Sequence, residues 1–230
     1  ISGMASSTIG WRELPYVLVP FALDGRDVIV EVLEGRIHLI SGIRSDTDMV
    51  RGEETQALGL AATLGSDLPE QATLVLPGTH SKHLTVRAGA ITDMRTFMTG
   101  ELFDLLARHS VLRHSTEASA AFDPTAFAEG VAESQRQPLA AALFRVRTRQ
   151  VLDHQPAPAN AAFLSGLLIG AELGALAESE RPVIVAAGES LRTAYAAAGE
   201  KLGMASRLQM LDAEPLSALG QEVVLRRILA

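Results

Sequence analysis

The sequence predicts an α/β chain, and three observations carry that prediction. From Ala161 onward, apolar strand-like runs alternate with helical patterns, which argues for a parallel portion of sheet. Between Thr73 and Phe97, three short segments alternate apolar and polar residues across Pro77-Gly78 and Gly89, the signature of an antiparallel meander. The composition is rich in Ala and Leu, 47% hydrophobic and only 4% aromatic, which suits helices packed on a sheet.

Taken in order, Gly3 to Trp11 is small and polar and reads as loop. A short apolar piece, Tyr16 to Phe21, follows, and then two strands, 27–35 and 36–43, separated at Gly35. The pattern turns helical over 49–65, where Ala57, Leu60, Ala61 and Leu64 share one face. Gly65 closes that helix. After the meander, Thr99 is placed to cap a helix over 100–110. Asp123 and Pro124 open another helix, a residue pair suited to the N-cap and first turn. Residues 138–152 read as one further helix and 153–160 as loop. The end reads helix (161–178), strand (182–188), helix (190–203), strand (206–211) and helix (215–230).

With 230 residues the chain has room for one large domain or two small ones. A net charge of -7 argues against sequence-independent nucleic-acid binding, which needs Lys and Arg to displace counterions. The absence of cysteine excludes disulfides, thiolate zinc sites and thiol nucleophiles. The most apolar run, Ala161 to Ala177, carries Glu172 and falls short of the roughly 20 apolar residues of a membrane span. It predicts a buried helix, and Gly166, Gly170 and Gly174 mark a face that admits a neighbouring backbone. A reducing, cytoplasmic location fits the composition, and no membrane partner is expected.

No P-loop, Gly-x-Gly-x-x-Gly, His-Glu-x-x-His or Gly-x-Ser-x-Gly motif occurs. The turn Gly78-Thr79-His80-Ser81-Lys82 is overloaded with donors for a hairpin. Hydroxyls, free N–H groups and an ammonium can hold phosphate oxygens; the plain alternative is a solvated polar turn. Glu53 and Glu54 open a helix, where carboxylates suit the macrodipole but can also serve as a general base. Gly188, Glu189 and Ser190 sit between a strand and a helix, either as a βα turn with Ser190 as cap or as a nucleotide edge. His80 and His83 fall on opposite sides of a strand, which disfavours a shared metal.

In series, "GMASSTIGWRELPYV", "MVRGEETQALG", "LPGTHSKHLTV", "TFMTGELFDLL", "FLSGLLIGAEL" and "VAAGESL" resemble the 2-dehydro-3-deoxygalactonokinase family over essentially the whole chain. That resemblance implies an actin-like (ribonuclease H-like) two-domain sugar kinase fold. Residues 1–48 would be the remainder of the first domain, and 49–230 a crossover helix and the second domain. It implies MgATP-dependent phosphorylation of the 6-hydroxyl of 2-dehydro-3-deoxy-D-galactonate, whose product feeds an aldolase. Gly78 to Lys82 would then be the ATP-phosphate hairpin, Glu53 the acid at the acceptor hydroxyl with Glu54 as runner-up, and Gly188, Glu189 and Ser190 the adenosine side. Ser7 and Trp11 would line the sugar-acid pocket, with Arg51 or Arg95 pairing the substrate carboxylate. The resemblance assigns no protein metal site.

The family pattern also has an earlier Asp-x-Gly-Thr-Thr-like segment with the first phosphate hairpin and a magnesium-associated aspartate. This sequence has no match for it. If phosphates are gripped from both domains, the chain alone is expected to be a poor kinase, and an incomplete first domain is expected to favour association of copies. Three rivals stand beside this reading: a kinase for another keto-deoxy sugar acid, a nucleotide switch without turnover on the same fold, and a metal-dependent hydrolase using His80, His83 and the glutamates.

Overall fold

The computed structural model describes residues 1–117 and 121–229. Six short strands come first: β1 (Val17–Leu18), β2 (Phe21–Ala22), β3 (Val30–Leu33), β4 (Ile37–Ile40), β5 (Ile43–Arg44) and β6 (Met49–Val50). Helix α1 (Glu53–Leu64) leads into the meander β7 (Gln71–Leu76), β8 (Ser81–Arg87) and β9 (Ala90–Phe97). Helices α2 (Thr99–His109), α3 (Pro124–Ser134), α4 (Leu139–Ala142), α5 (Arg145–Val151) and α6 (Ala157–Gly174) follow. The chain ends β10 (Val183–Ala187), α7 (Glu189–Lys201), β11 (Leu208–Asp212) and α8 (Leu216–Leu229).

The central sheet has the order β11-β10-β7-β8-β9-β2. β10 and β11 run parallel to β7, while β8, β9 and β2 continue antiparallel. Alternation along each strand sends its side chains to two cores. Val75, Val183 and Val185 meet α3, α6 and α7 on one face. Leu74, Leu76, Leu84, Val86, Ile184 and Ala186 meet α1 and α8 on the other. Phe21, Leu23, Ile40, Ile43 and Val50 join this second core, so the N-terminal segment packs on the α1 side.

The glycine-marked face of α6 does admit a neighbour. A Cβ on Gly166 would lie 2.1 Å from the Phe127 carbonyl oxygen of α3, and one on Gly130 of α3 would lie 2.1 Å from that of Phe163. Asp123 caps α3 by accepting from the amides of Thr125 and Ala126.

Four local expectations are corrected. Tyr16 to Phe21 divides around Pro20, with β1 pairing β5 and β2 pairing β9. Met49–Val50 pairs with β5 rather than starting the helix. Residues 138–152 form two helices, α4 and α5, which turn Ala142 and Val146 into the same core across exposed Phe144. Helix α6 begins four residues early, because Pro156 and Pro158 suit a helix entrance.

Candidate active site

Helix α1 is joined to β7 by only a short connection and packs on the sheet, so it runs back against β7. Its acidic first turn therefore lies at the carboxyl ends of the parallel strands, the edge where open α/β sheets take ligands. The hairpin turn after β7 and the βα turn after β10 share that edge. Gln56, in the first turn of α1, lines one pocket with Gly188 and Glu189. Gly78 and Leu191 line a second, about 180 Å³ in volume, whose apolar wall includes Phe103, Leu168 and Ile169.

The turn itself is exposed at Gly78, Thr79 and His80, whereas Ser81 and Lys82 are buried. It rests on the start of α2. The Glu101 amide donates to the Thr79 carbonyl at 3.0 Å, and His80 Nε2 meets the Glu101 carboxylate. Gly100 is pressed against the turn: a Cβ there would lie 2.5 Å from the Gly78 carbonyl oxygen. Thr99 does not cap α2 as its residue type suggests; Met98 occupies the cap without a side-chain bond. The Thr99 hydroxyl instead donates to Glu172.

Glu172 is the feature the motifs did not single out as functional. Its carboxylate, 2% exposed, accepts from Ser81 Oγ (2.6 Å), His83 Nε2 (2.9 Å), Tyr195 Oη (2.8 Å) and Thr99 Oγ1. The signal available in the sequence was that Glu172 is the lone charge in an otherwise apolar helix. Burial and the charge of Glu172 push the Tyr195 phenol up, so it remains a donor.

The paired acids of α1 separate. Glu54 is fully buried, accepting from the Gly52 amide (2.6 Å) and Thr55 Oγ1 (2.9 Å). Burial raises its carboxyl from 4.5 to about 7. Glu53 is half-buried and accepts from the Arg51 amide at 3.1 Å. Ser190 does not cap α7; Gly188 occupies the cap, and Ser190 lies exposed within the first turn beside Glu189.

Around Arg51 the N-terminal segment packs closely. The Arg51 guanidinium donates to Tyr16 Oη (3.2 Å), Ser6 Oγ (2.9 Å), the Leu14 carbonyl (3.0 Å) and the Ser6 carbonyl. It also lies 4.0 Å from the centre of the Tyr16 ring. So engaged, Arg51 braces the loop, with four hydrogen bonds already made by its five N–H groups. The Ser7 hydroxyl closes its own turn on the Met4 carbonyl, and Trp11 projects into solvent. Arg95 lies on the sheet face opposite α1, in a polar pocket with Arg87, Arg181, Thr85 and His83. This pocket is larger than the one beside Gly78, yet it is remote from the acidic first turn of α1.

Among the described residues no three His, Asp or Glu side chains converge as a metal site. His80 and His83 answer to different carboxylates, Glu101 and Glu172. Among the described residues no helix is long and apolar enough to cross a membrane.

A half-parallel sheet with a donor-rich turn, an acidic helix start and a βα turn along its carboxyl edge has the layout of the actin-like sugar kinases. The comparisons make the class specific. A family model described as 2-keto-3-deoxy-galactonokinase matches residues 1–222. A Rhizobium meliloti (strain 1021) protein assigned as 2-dehydro-3-deoxygalactonokinase is 37% identical over 244 residues, spanning 99% of this chain and 78% of that protein. The 2-dehydro-3-deoxygalactonokinase of Escherichia coli (strain K12) is 34% identical over 214 residues, 88% of this chain and 70% of that one. The crystal structure of a Sinorhizobium meliloti protein assigned to the same activity matches with a TM-score of 0.88 at 34% identity, covering 99% of this chain and 77% of that one. The chain belongs to the 2-keto-3-deoxy-galactonokinase family, and it is a kinase.

Proposed function

We propose that the chain transfers the γ-phosphoryl group of ATP to the 6-hydroxyl of 2-dehydro-3-deoxy-D-galactonate. One observation supports this above the rest: in a chain related to the family over residues 1–222, three motifs far apart in sequence share one sheet edge. Glu53 takes the proton of the attacking hydroxyl as the new O–P bond forms and the bond to the bridging oxygen of ADP breaks. Glu53 suits this role better than Glu54, whose two oxygens are already engaged inside the protein. The exposed turn at Gly78 and Thr79 receives the phosphates, with Ser81 and Lys82 behind it. The apolar cavity between Gly78 and Leu191 takes the adenosine end, next to Gly188–Ser190. Among the described residues no carboxylate cage offers itself to Mg²⁺, which would travel on the ATP phosphates and water and lower their charge. In this reading residues 1–48 face the sugar acid and 49–230 the nucleotide, and the reaction is a cytoplasmic step of galactonate breakdown.

The test is ADP release, by the 230 residues alone and by the same chain extended with the family's earlier phosphate segment, with 2-dehydro-3-deoxy-D-galactonate, glucose or galactose as acceptor. The sugar acid is expected to react far faster than the neutral hexoses, the preference that membership of this family implies. Equal rates on the neutral hexoses overturn the assignment.

A further inference from the structure

Glu172 sits on α6 with its carboxylate out of water, where an ionised group is costly to keep. A carboxylate has about four acceptor sites, and here four donors fill them. The donors come from β8, α2 and α7, none from α6 itself. Simple packing would be served as well by an apolar residue of similar volume. What a shared carboxylate adds is a fixed relation among the elements that bond to it.

Those elements surround the nucleotide edge. Ser81 is the first strand residue after the phosphate turn. Thr99 starts α2, on which that turn rests through Gly100 and Glu101. Tyr195 lies on α7, which begins directly after Gly188. Thr99 and Tyr195 also line the cavity between Gly78 and Leu191. Resting on the kinase reading, we propose that Glu172 is a positioning residue for the nucleotide: it sets the spacing between the phosphate turn and the adenosine-side helix without touching substrate.

The proposal separates two quantities that general destabilisation would not separate. In Glu172→Gln one acceptor becomes an NH₂ facing a donor, which should loosen the junction. The expected result is a rise of about 10- to 100-fold in the KM for ATP, the scale of leaving a buried donor unpaired. The KM for the sugar acid should stay within about twofold. Titration of ADP in a calorimeter, which needs no turnover, should show its Kd rising in parallel with the KM for ATP. Tyr195→Phe removes one donor, keeps the ring, and should give the same split at about three- to tenfold. It decides the matter alone if Glu172→Gln fails to fold. Unchanged ADP affinity in Tyr195→Phe overturns the proposal, as does a sugar-acid KM that rises in step with the ATP KM. If no sugar acid is phosphorylated but ADP affinity still drops in both variants, the kinase assignment fails and the positioning role stands.

Discussion

Glu54 and Glu172 are both shut away from water, yet they are held in opposite ways. Glu54, at the start of α1, bonds only to residues 52 and 55, so its environment is built within one turn of chain. Glu172, near the end of α6, bonds to residues 23 to 91 positions away. With two local donors, Glu54 is dominated by lost hydration and its carboxyl rises to about 7. With four donors from three elements, Glu172 becomes a junction. The difference separates a local brace, which shapes one helix entrance, from a tertiary brace, which aligns several elements.

The sharpest test concerns the acid between the brace and solvent. Glu53→Gln is expected to lower kcat by about 10²–10⁴-fold with little change in ATP affinity, while Glu54→Gln lowers it less. Steady-state kinetics on both variants checks this, and a collapse confined to Glu54→Gln would reverse the assignment.

Next comes the pH response of the local brace. The folded Glu54 carboxyl holds its proton up to about pH 7, whereas the unfolded chain releases it near 4.5. Between those values the folded state binds more protons, so stability falls as pH rises and levels off above 7. The full loss from this one group is on the order of 3 kcal/mol. Urea midpoints from pH 4 to 8 should show that decline in the parent and a flatter profile in Glu54→Gln. Identical profiles would mean that Glu54 is not desolvated as described.

The support under the turn gives a third effect. Gly100→Ala drives a methyl toward the Gly78 carbonyl and should raise the KM for ATP roughly tenfold, the scale of one weakened hydrogen bond to phosphate. A KM within twofold of the parent would show that the turn yields without cost. The smallest effect belongs to a cap far from the edge. Asp123→Ala should cost about 1 kcal/mol in denaturant unfolding with unaltered kinetics.

The main strands and helices were legible because apolar periods mark them: the meander 71–97, the parallel strands at 183–187 and 208–212, and the helix at 53–64 all stand where alternation puts them. The structure departs from local residue chemistry where a side chain's own type does not decide its partner. Thr99 has the chemistry of a cap, but Glu172, 73 residues away, claims its hydroxyl. Arg51 has the chemistry of a carboxylate binder, but Tyr16, Ser6 and Leu14 take its donors. Ser190 loses the cap to Gly188, whose extended backbone serves the entrance without a side chain. The candidate edge was legible as separate motifs, since each motif is local. The carboxylate behind them was visible only as a charge in an apolar run, and nothing in periodicity tells which donors will find it.

The pairing of β2 with β9 bears on how this chain can be divided. Phe21 and Ala22 hydrogen-bond across from Ile91 and Ala90, and Phe21, Ile40, Ile43 and Val50 share a core with Leu58, Leu74 and Leu84. A cut after residue 48 would therefore strip the last strand from the sheet and open apolar surface on both pieces. Produced separately, each piece carries an edge that pairs with other chains. Produced together, the same complementarity makes residues 1–48 and 49–229 candidates for a split reporter, in which recovered phosphoryl transfer signals that two fused partners have met.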